Sequence, residues 1–427
     1  MTSLYAGIDA GTSGVRLCLI NDEAELVYED TYPLPLSEKT GAEHEQEPDS
    51  WWEAVTTLLG CIPGHLSGRI HALAIDGTSG TLLLTDENGK PVSPALMYND
   101  ARSTTQAARI AALAPDQSGA HGASSSLAKL LWLRDNIATD HVAHALHQAD
   151  WLLGRLTGKP GISDENNCLK LGYDPVSRSW PAWIEQLNIN HEWLPEVLEP
   201  GSPAGTIIPE LASQFGLPTD MMLCTGTTDS IAAFLATGAS QPGEAVSSLG
   251  STLAIKIIGE QALFAPEYGI YSHRLWNQWL IGGASNTGGA VLKHYFSHDQ
   301  IKKFSLCIVP EHWTGLDYYP LLSAGERFPA ADPKLEPRLT PRPDDDCQFF
   351  QGMLEGIARI EHQAYQKLNE LGAPWPTSIR TVGGGAINEV WTAMRRKRLG
   401  VEMITPEHDE AAYGAALLAR RGIMRSS

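Results

Sequence analysis

The sequence predicts an α/β protein of two domains with related architecture. Two observations carry this. Each half opens on a strand, a turn of small residues and a second strand, at 5–20 and again at 245–258. In each half, helices and strands then alternate. The repeat lies in the pattern, and residue identity between the halves is faint. A length of 427 residues suits two or three domains. The join falls near Gly238 to Gly243, which gives domains over 1–240 and 241–427.

Taken in order, residues 5–9 form an apolar run that predicts a buried strand, and Ala10 to Gly14 read as a turn rich in Gly, Ser and Thr. Strands follow over 15–20 and 26–32, so the chain opens as an antiparallel meander. Ser50-Trp51-Trp52-Glu53 has the spacing of a capping box, with Ser50 as N-cap. It predicts a helix whose Trp51 and Trp52 pack on a sheet. A strand over 70–75 ends in Asp76-Gly77-Thr78-Ser79-Gly80, and another follows over 82–85. Residues 104–199 read as helix-rich, with loops at 157–162 and 174–180. In the second half, strands over 245–249 and 253–258 flank Gly250-Ser251-Thr252. A strand over 278–281 leads through 282–287 into a helix. A long helix covers 345–371, a strand over 379–382 runs into Gly383-Gly384-Gly385, and a helix spans 388–399.

Composition excludes several function classes. A formal net charge of -19 argues against nucleic acid, which needs a basic footprint. An anionic ligand would need local help from backbone N–H groups, a helix N-terminus or a metal. A neutral ligand would not be repelled. The six cysteines form no C-x-x-C pair, so reduced thiols in a cytoplasm fit better than a disulfide scaffold or a zinc site. No basic and apolar leader opens the chain, and no apolar run is long enough to span a membrane.

The turns carry the chemistry. Asp9-Ala10-Gly11-Thr12-Ser13-Gly14 presents N–H groups and two hydroxyls without bulky side chains, a concavity that suits phosphate oxygens. Asp9, ending a buried strand, can hold Mg²⁺ through water. The plain alternative is a tight hairpin. Gly250-Ser251-Thr252 recurs at the matching point of the second half, and two such turns facing each other would clamp a polyphosphate. Asp229, in Thr225-Gly226-Thr227-Thr228-Asp229-Ser230, sits where an apolar strand passes into a helix. It can accept a proton there, but by spacing alone an N-cap aspartate is the favoured reading. The clusters at 76–80 and at Asn99-Asp100-Ala101-Arg102 can bond the hydroxyls of a ligand or merely cap and turn. The glycines 383–385 exceed what a turn needs and allow close approach to a flat ligand. His141, His144 and His147 swing around a helix and read as a solvated or core face, not a metal site. No Walker A or protein-kinase signature is present.

As an ordered set these segments resemble the FGGY carbohydrate kinases, of the actin/hexokinase/Hsp70-like ATPase superfamily. The carrying residues are Gly7-Ile8-Asp9-Ala10-Gly11-Thr12-Ser13-Gly14-Val15-Arg16, Gly226-Thr227-Thr228-Asp229-Ser230 and Ser248-Leu249-Gly250-Ser251-Thr252. Val382-Gly383-Gly384-Gly385-Ala386, Leu399-Gly400 and Glu410-Ala411-Ala412-Tyr413-Gly414-Ala415-Ala416 resemble the family's adenosine region. The resemblance implies two ribonuclease-H-like domains flanking a cleft, with sugar mainly on the N-terminal side and ATP with Mg²⁺ mainly on the C-terminal side. It makes Asp229 the catalytic base. It places Asp9 and Asp229 at the Mg²⁺ through water, and makes Asp9, Thr78, Ser79, Asp100 and Asp229 sugar contacts. Gly11, Thr12, Ser13, Gly250, Ser251, Thr252, Gly288, Gly384, Gly385 and Asn388 become nucleotide contacts. A homodimer is the family's suggestion.

The segments at 75–81 and 96–102 resemble compact D-ribulose kinases. Xylulokinases usually carry a Gln-Met-His-Gly-type segment where this chain has Gly77-Thr78-Ser79-Gly80, which favours D-ribulose. D-xylulose, L-ribulose and glycerol stay open as substrates. An actin/Hsp70-like ATPase or a non-catalytic nucleotide-binding module are the readings from other classes. Met394-Arg395-Arg396-Lys397-Arg398 departs from the family pattern on the adenine side.

Overall fold

The computed structural model describes residues 2–35 and 37–426. It divides into two compact units, Met1–Ala236 with Glu410–Ser427, and Thr237–Asp409.

In the first unit a six-stranded sheet is built from β1 (Leu4–Ala10), β2 (Gly14–Ile20), β3 (Leu26–Pro33), β4 (Ile70–Gly77), β5 (Pro203–Thr206) and β6 (Met222–Cys224). Its order is β5-β6-β4-β1-β2-β3. β1, β2 and β3 form the expected antiparallel meander, while β4 and β6 run parallel to β1. Every residue of β1 is buried, as a central strand requires, whereas β3 alternates between exposed and half-buried at the edge.

The second unit repeats the plan. Its strands are β7 (Glu244–Leu249), β8 (Leu253–Gly259), β9 (His273–Leu275), β10 (Gln278–Ser285), β11 (Ser378–Val382) and β12 (Glu402–Ile404), in the order β9-β10-β8-β7-β11-β12. β7, β8 and β10 are antiparallel, and β11 and β12 run parallel to β7. The core order β3-β2-β1-β4-β6 therefore recurs as β10-β8-β7-β11-β12. The repeat that was faint in residues is complete in topology.

Helix α1 (Pro48–Cys61) begins earlier than the capping-box spacing suggests. Glu47 is its N-cap, Pro48 opens the helix with φ already set, and the Ser50 hydroxyl donates back to the Glu47 carbonyl. Trp51 is fully buried as expected, and the Arg155 guanidinium lies over Trp52 at 4.4 Å. The middle of the chain is less helical than its composition suggests. Helices α2 (Ser126–Asn136) and α3 (Gln148–Thr157) are separated by the strand His144–His147, which pairs with Leu82–Thr85 in a second sheet of five strands. The three histidines therefore share no helix face. His147 is buried, bonded to Asp150 and to Ser126. Helix α4 (Asp229–Ala236) closes the N-terminal stretch of this unit, and α5 (Asp346–Glu370) and α6 (Glu389–Leu399) belong to the second unit.

The last helix, α7 (Ala411–Ser426), returns to the first unit. The compact units thus differ from a plain division at residue 240, because α7 packs on β1 and α4. The reason is steric. A Cβ on Gly7 would lie 1.9 Å from the Ala412 carbonyl oxygen, and one on Gly414 1.9 Å from that of Ala232. Bare backbone lets helix and strand touch, and Ala415, Ala416 and Ala419 fill the seam. The segment 410–416, grouped by resemblance with the adenosine region, serves this packing. We expect Gly7→Ala to destabilise the first unit by about 1–3 kcal/mol or more, as overpacking against rigid backbone does. Urea denaturation would show it as a lowered midpoint with an unchanged slope.

Candidate active site

Three parallel strands of the first unit end side by side, and in such sheets ligands gather beyond the carboxyl ends. Asp9 on β1 stands in register with Asp76 on β4 and with Arg16 on β2. Gly77 at the end of β4 bridges Thr228, in the loop after β6, which leads directly to Asp229. That loop lies against β4 because Gly226 has no side chain: a Cβ there would sit 1.6 Å from the Ile75 carbonyl oxygen.

Asp9 is 5% exposed. Its Oδ2 accepts from Arg16 Nη1 at 2.9 Å, and its Oδ1 lies 3.9 Å from where a Cβ of Gly11 would stand. One oxygen is thus tied to Arg16 and the other faces the Gly11 turn. Arg16 Nε also reaches Glu410 at 3.4 Å. Asp76 is fully buried and stands beside Asp9. Burial first, then the charge of Asp9, a hydrogen bond to Asp9 and the charge of Asp229, push its carboxyl well above the usual range, with Arg16 acting in the opposite direction. Asp229 is half-buried and is the first residue of α4, and its Oδ1 accepts from the Ser230 amide at 2.7 Å. The first helical amides, of Ile231 and Ala232, donate to the Thr228 carbonyl at 2.9 and 3.0 Å. The helix therefore starts from Thr228, one residue before the aspartate.

In the β1–β2 turn the Gly11 amide donates to the Gly14 carbonyl at 3.1 Å, and the Thr12 and Ser13 carbonyls are held by Gln46 and the Leu34 amide. Thr12 is half-buried and Ser13 exposed. Beyond β4, Thr78 is locked. Gln148 Oε1 accepts from its amide and hydroxyl at 3.1 and 2.8 Å, and Thr81 shares that hydroxyl at 2.6 Å. Ser79 is half-buried. Asp100 is fully buried and takes the Arg102 guanidinium on both oxygens and the His44 amide at 2.7 Å. Its bonding makes it a brace for Arg102.

In the second unit the turn Gly250-Ser251-Thr252 joins β7 to β8, with Ser251 and Thr252 exposed. Gly288 has φ +148°, and a Cβ there would lie 2.7 Å from the Ser251 carbonyl oxygen. The Gly289 amide donates to the Gly250 carbonyl at 2.9 Å. Gly385 donates to the Leu249 carbonyl at 3.0 Å, and a Cβ on Gly384 would meet open space. Gly250, Ser251, Thr252, Gly288, Gly384 and Gly385 are thereby gathered at one end of β7. Asn388 caps α6 by accepting from the Trp391 amide, and its Nδ2 donates to Ser305. Arg395, in the departing segment, is buried in an ion pair with Glu361.

Sequence reasoning missed Asp76 as a separate group, together with Gln148, which holds Thr78, Lys129 and Lys170, which donate to the Gly80 and Ser79 carbonyls, and Asn166, which donates to Thr227. A lysine inside Leu127-Ala128-Lys129-Leu130-Leu131 was the readable signal for one of them. Among the described residues no helix is long and apolar enough to cross a membrane. All six cysteines are free.

The doubled sheet plan, with carboxylates at the strand ends of one unit and small-residue turns in both, defines the actin/hexokinase-like ATPase fold with ribonuclease-H-like units. The chain belongs to the FGGY family of carbohydrate kinases: the family's N-terminal domain matches residues 4–236 and its C-terminal domain residues 245–423. The xylulose kinase of Escherichia coli (strain K12) is 25% identical over 437 residues, covering 98% of this chain and 90% of that protein. The gluconokinase of Bacillus subtilis (strain 168) is 24% identical, covering 98% and 87%. The crystal structure of a "xyloylose kinase" from Brucella ovis superposes with a TM-score of 0.88 at 25% identity, covering 99% of this chain and 91% of that one.

Proposed function

We propose that the protein transfers the γ-phosphoryl group of ATP to a primary hydroxyl of a ketopentose, with D-ribulose the preferred acceptor. The observation that carries this reading is Asp229, half-buried at the start of α4, at the end of the loop that Gly226 holds against β4 and near Asp76, the register neighbour of Asp9. Asp229 accepts the proton of the acceptor hydroxyl as its oxygen attacks phosphorus. A positioned base contributes ~10²–10⁴-fold, and positioning and charge stabilisation supply the remainder. Thr12 and Ser13 bind phosphate oxygens through hydroxyls and backbone. The second unit contributes Gly250, Ser251, Thr252 and Gly288 to phosphate binding, and Gly384, Gly385 and the region of Asn388 to the nucleoside.

Mg²⁺ fits the donors present. Asp9 Oδ1 faces the Gly11 turn while its partner oxygen is neutralised by Arg16, and magnesium takes one or two carboxylates and keeps its waters. Asp9 and Asp229 would hold it through water. The ion supplies charge neutralisation on the phosphates. Ser79 contacts the sugar, and Thr78, locked to Gln148, shapes the loop.

Gly77-Thr78-Ser79-Gly80 favours D-ribulose, while the xylulose kinases among the relatives favour D-xylulose as a second reading. ADP release coupled to a panel of D-ribulose, D-xylulose, L-ribulose and glycerol decides between them. The highest kcat/KM is expected on D-ribulose. A maximum on D-xylulose would replace it with the second reading, and the lack of ADP release with any of the four would remove the ketopentose reading.

A further inference from the structure

We propose that Lys170 is a specificity-determining sugar contact, its ammonium donating to acceptor oxygens beside Ser79. The inference rests on reading residues 77–80 as the sugar-side loop.

Two lysines hold consecutive carbonyls of that loop. Lys129, on α2 and fully buried, donates from Nζ to the Gly80 carbonyl at 2.7 Å and to that of Ser124 at 3.0 Å. Lys170, in the short turn Leu169–Leu171, donates to the Ser79 carbonyl at 3.3 Å. Its stem crosses Gly80 so closely that a Cβ there would lie 3.3 Å from Lys170 Cδ, at a glycine with φ +91°. Among the described residues neither lysine takes part in an ion pair.

The two lysines are not equivalent. Lys129 makes two good bonds in a dry site and fixes the loop. Burial, and then the charge of Lys170, lower its ammonium to about 7, with Asp100 acting the other way. Lys170 is half-buried and makes one long bond. An ammonium has three donors, so Lys170 keeps two to offer next to the half-buried Ser79. Those spare donors suit an oxygen-bearing group within reach of Ser79. The hydroxyls and carbonyl of a sugar are such a group.

The element that carries Lys170 also reaches the base. Asn166, four residues earlier in the same short helical stretch, donates from Nδ2 to Thr227 Oγ1 at 3.1 Å, two residues before Asp229. One element thus runs from the catalytic loop to the sugar loop, and Lys170 stands at its sugar end.

Steady-state kinetics of Lys170→Met and Lys170→Gln on the sugar that the wild type uses best provide the test. The sugar KM should rise roughly 10–100-fold, the loss of a charged hydrogen bond, with kcat and the ATP KM changed less than about threefold. An unchanged sugar KM in either variant, or equal losses in kcat and in the ATP KM, would overturn the inference and leave the kinase reading standing. A wild type that phosphorylates no sugar would overturn both.

Discussion

Asp229→Asn is expected to lower turnover by ~10²–10⁴-fold with ATP and sugar both saturating. The substitution is chosen because it removes the charge and keeps the side chain's size. Asparagine keeps the shape and retains an oxygen that can accept from the Ser230 amide, the bond that orients Asp229 at 2.7 Å. Loss of a negative charge at the first residue of α4 costs about 0.3–1 kcal/mol of helix stability, too little to unfold the unit. Because Asp229 also stands at the sugar and the Mg²⁺, both KM values should rise somewhat, but kcat should fall by far more than either. That split separates a base from a group that merely binds. Near-wild-type turnover would take the role away from Asp229. Removing the carboxylate also lessens the charge around Asp76, so the variant should be no less stable on that account.

The sheets were legible because their signals are local. Apolar runs punctuated by small-residue turns located β1, β2 and β3 and again β7 and β8 to within a residue or two. The long helix α5, read over 345–371 with its stop at Gly372, spans Asp346–Glu370. What escaped is what strand pairing decides. Asp76 looks like the first residue of a polar turn, and only the placement of β4 between β1 and β6 buries it beside Asp9. His144–His147 has a helix-like spacing, but pairing with Leu82–Thr85 makes it a strand and delivers Gln148 to Thr78. The return of α7 was invisible because its cause, bare backbone at Gly7 and Gly414, meets residues far away along the chain, Ala412 and Ala232. For the site, Asp229 gained its meaning from order along the chain. Its neighbourhood in space brought in Arg16, Asp76 and the segment from Asn166 to Lys170.

Arg395→Met should destabilise the second unit by about 3–5 kcal/mol, since it leaves a buried carboxylate without its partner. Arg395 is fully buried and grips Glu361 with two bonds of 2.6 Å, while its Nη1 donates to Thr381 Oγ1 at 2.8 Å. Burial disfavours the guanidinium charge, and Glu361 more than offsets it. Ser247 on β7 donates to the same carboxylate and shares a bond with the Tyr365 hydroxyl. The pair thus ties α5, α6, β7 and β11 together, and β7 and β11 end at Gly250-Ser251-Thr252 and at Gly383-Gly384-Gly385. A residue that departs from the family pattern on the adenine side is therefore spent inside the core. Because removing one ion is worse than removing both, the double variant Arg395→Met with Glu361→Gln should recover at least half of the loss. Hydrogen exchange at the amides of β7 and β11 reads the second unit by itself. A single variant whose protection there falls by less than about 1 kcal/mol would mean that the pair adds no net stability. A double variant no better than the single would mean that the guanidinium acts chiefly by filling space against Thr381 and α5.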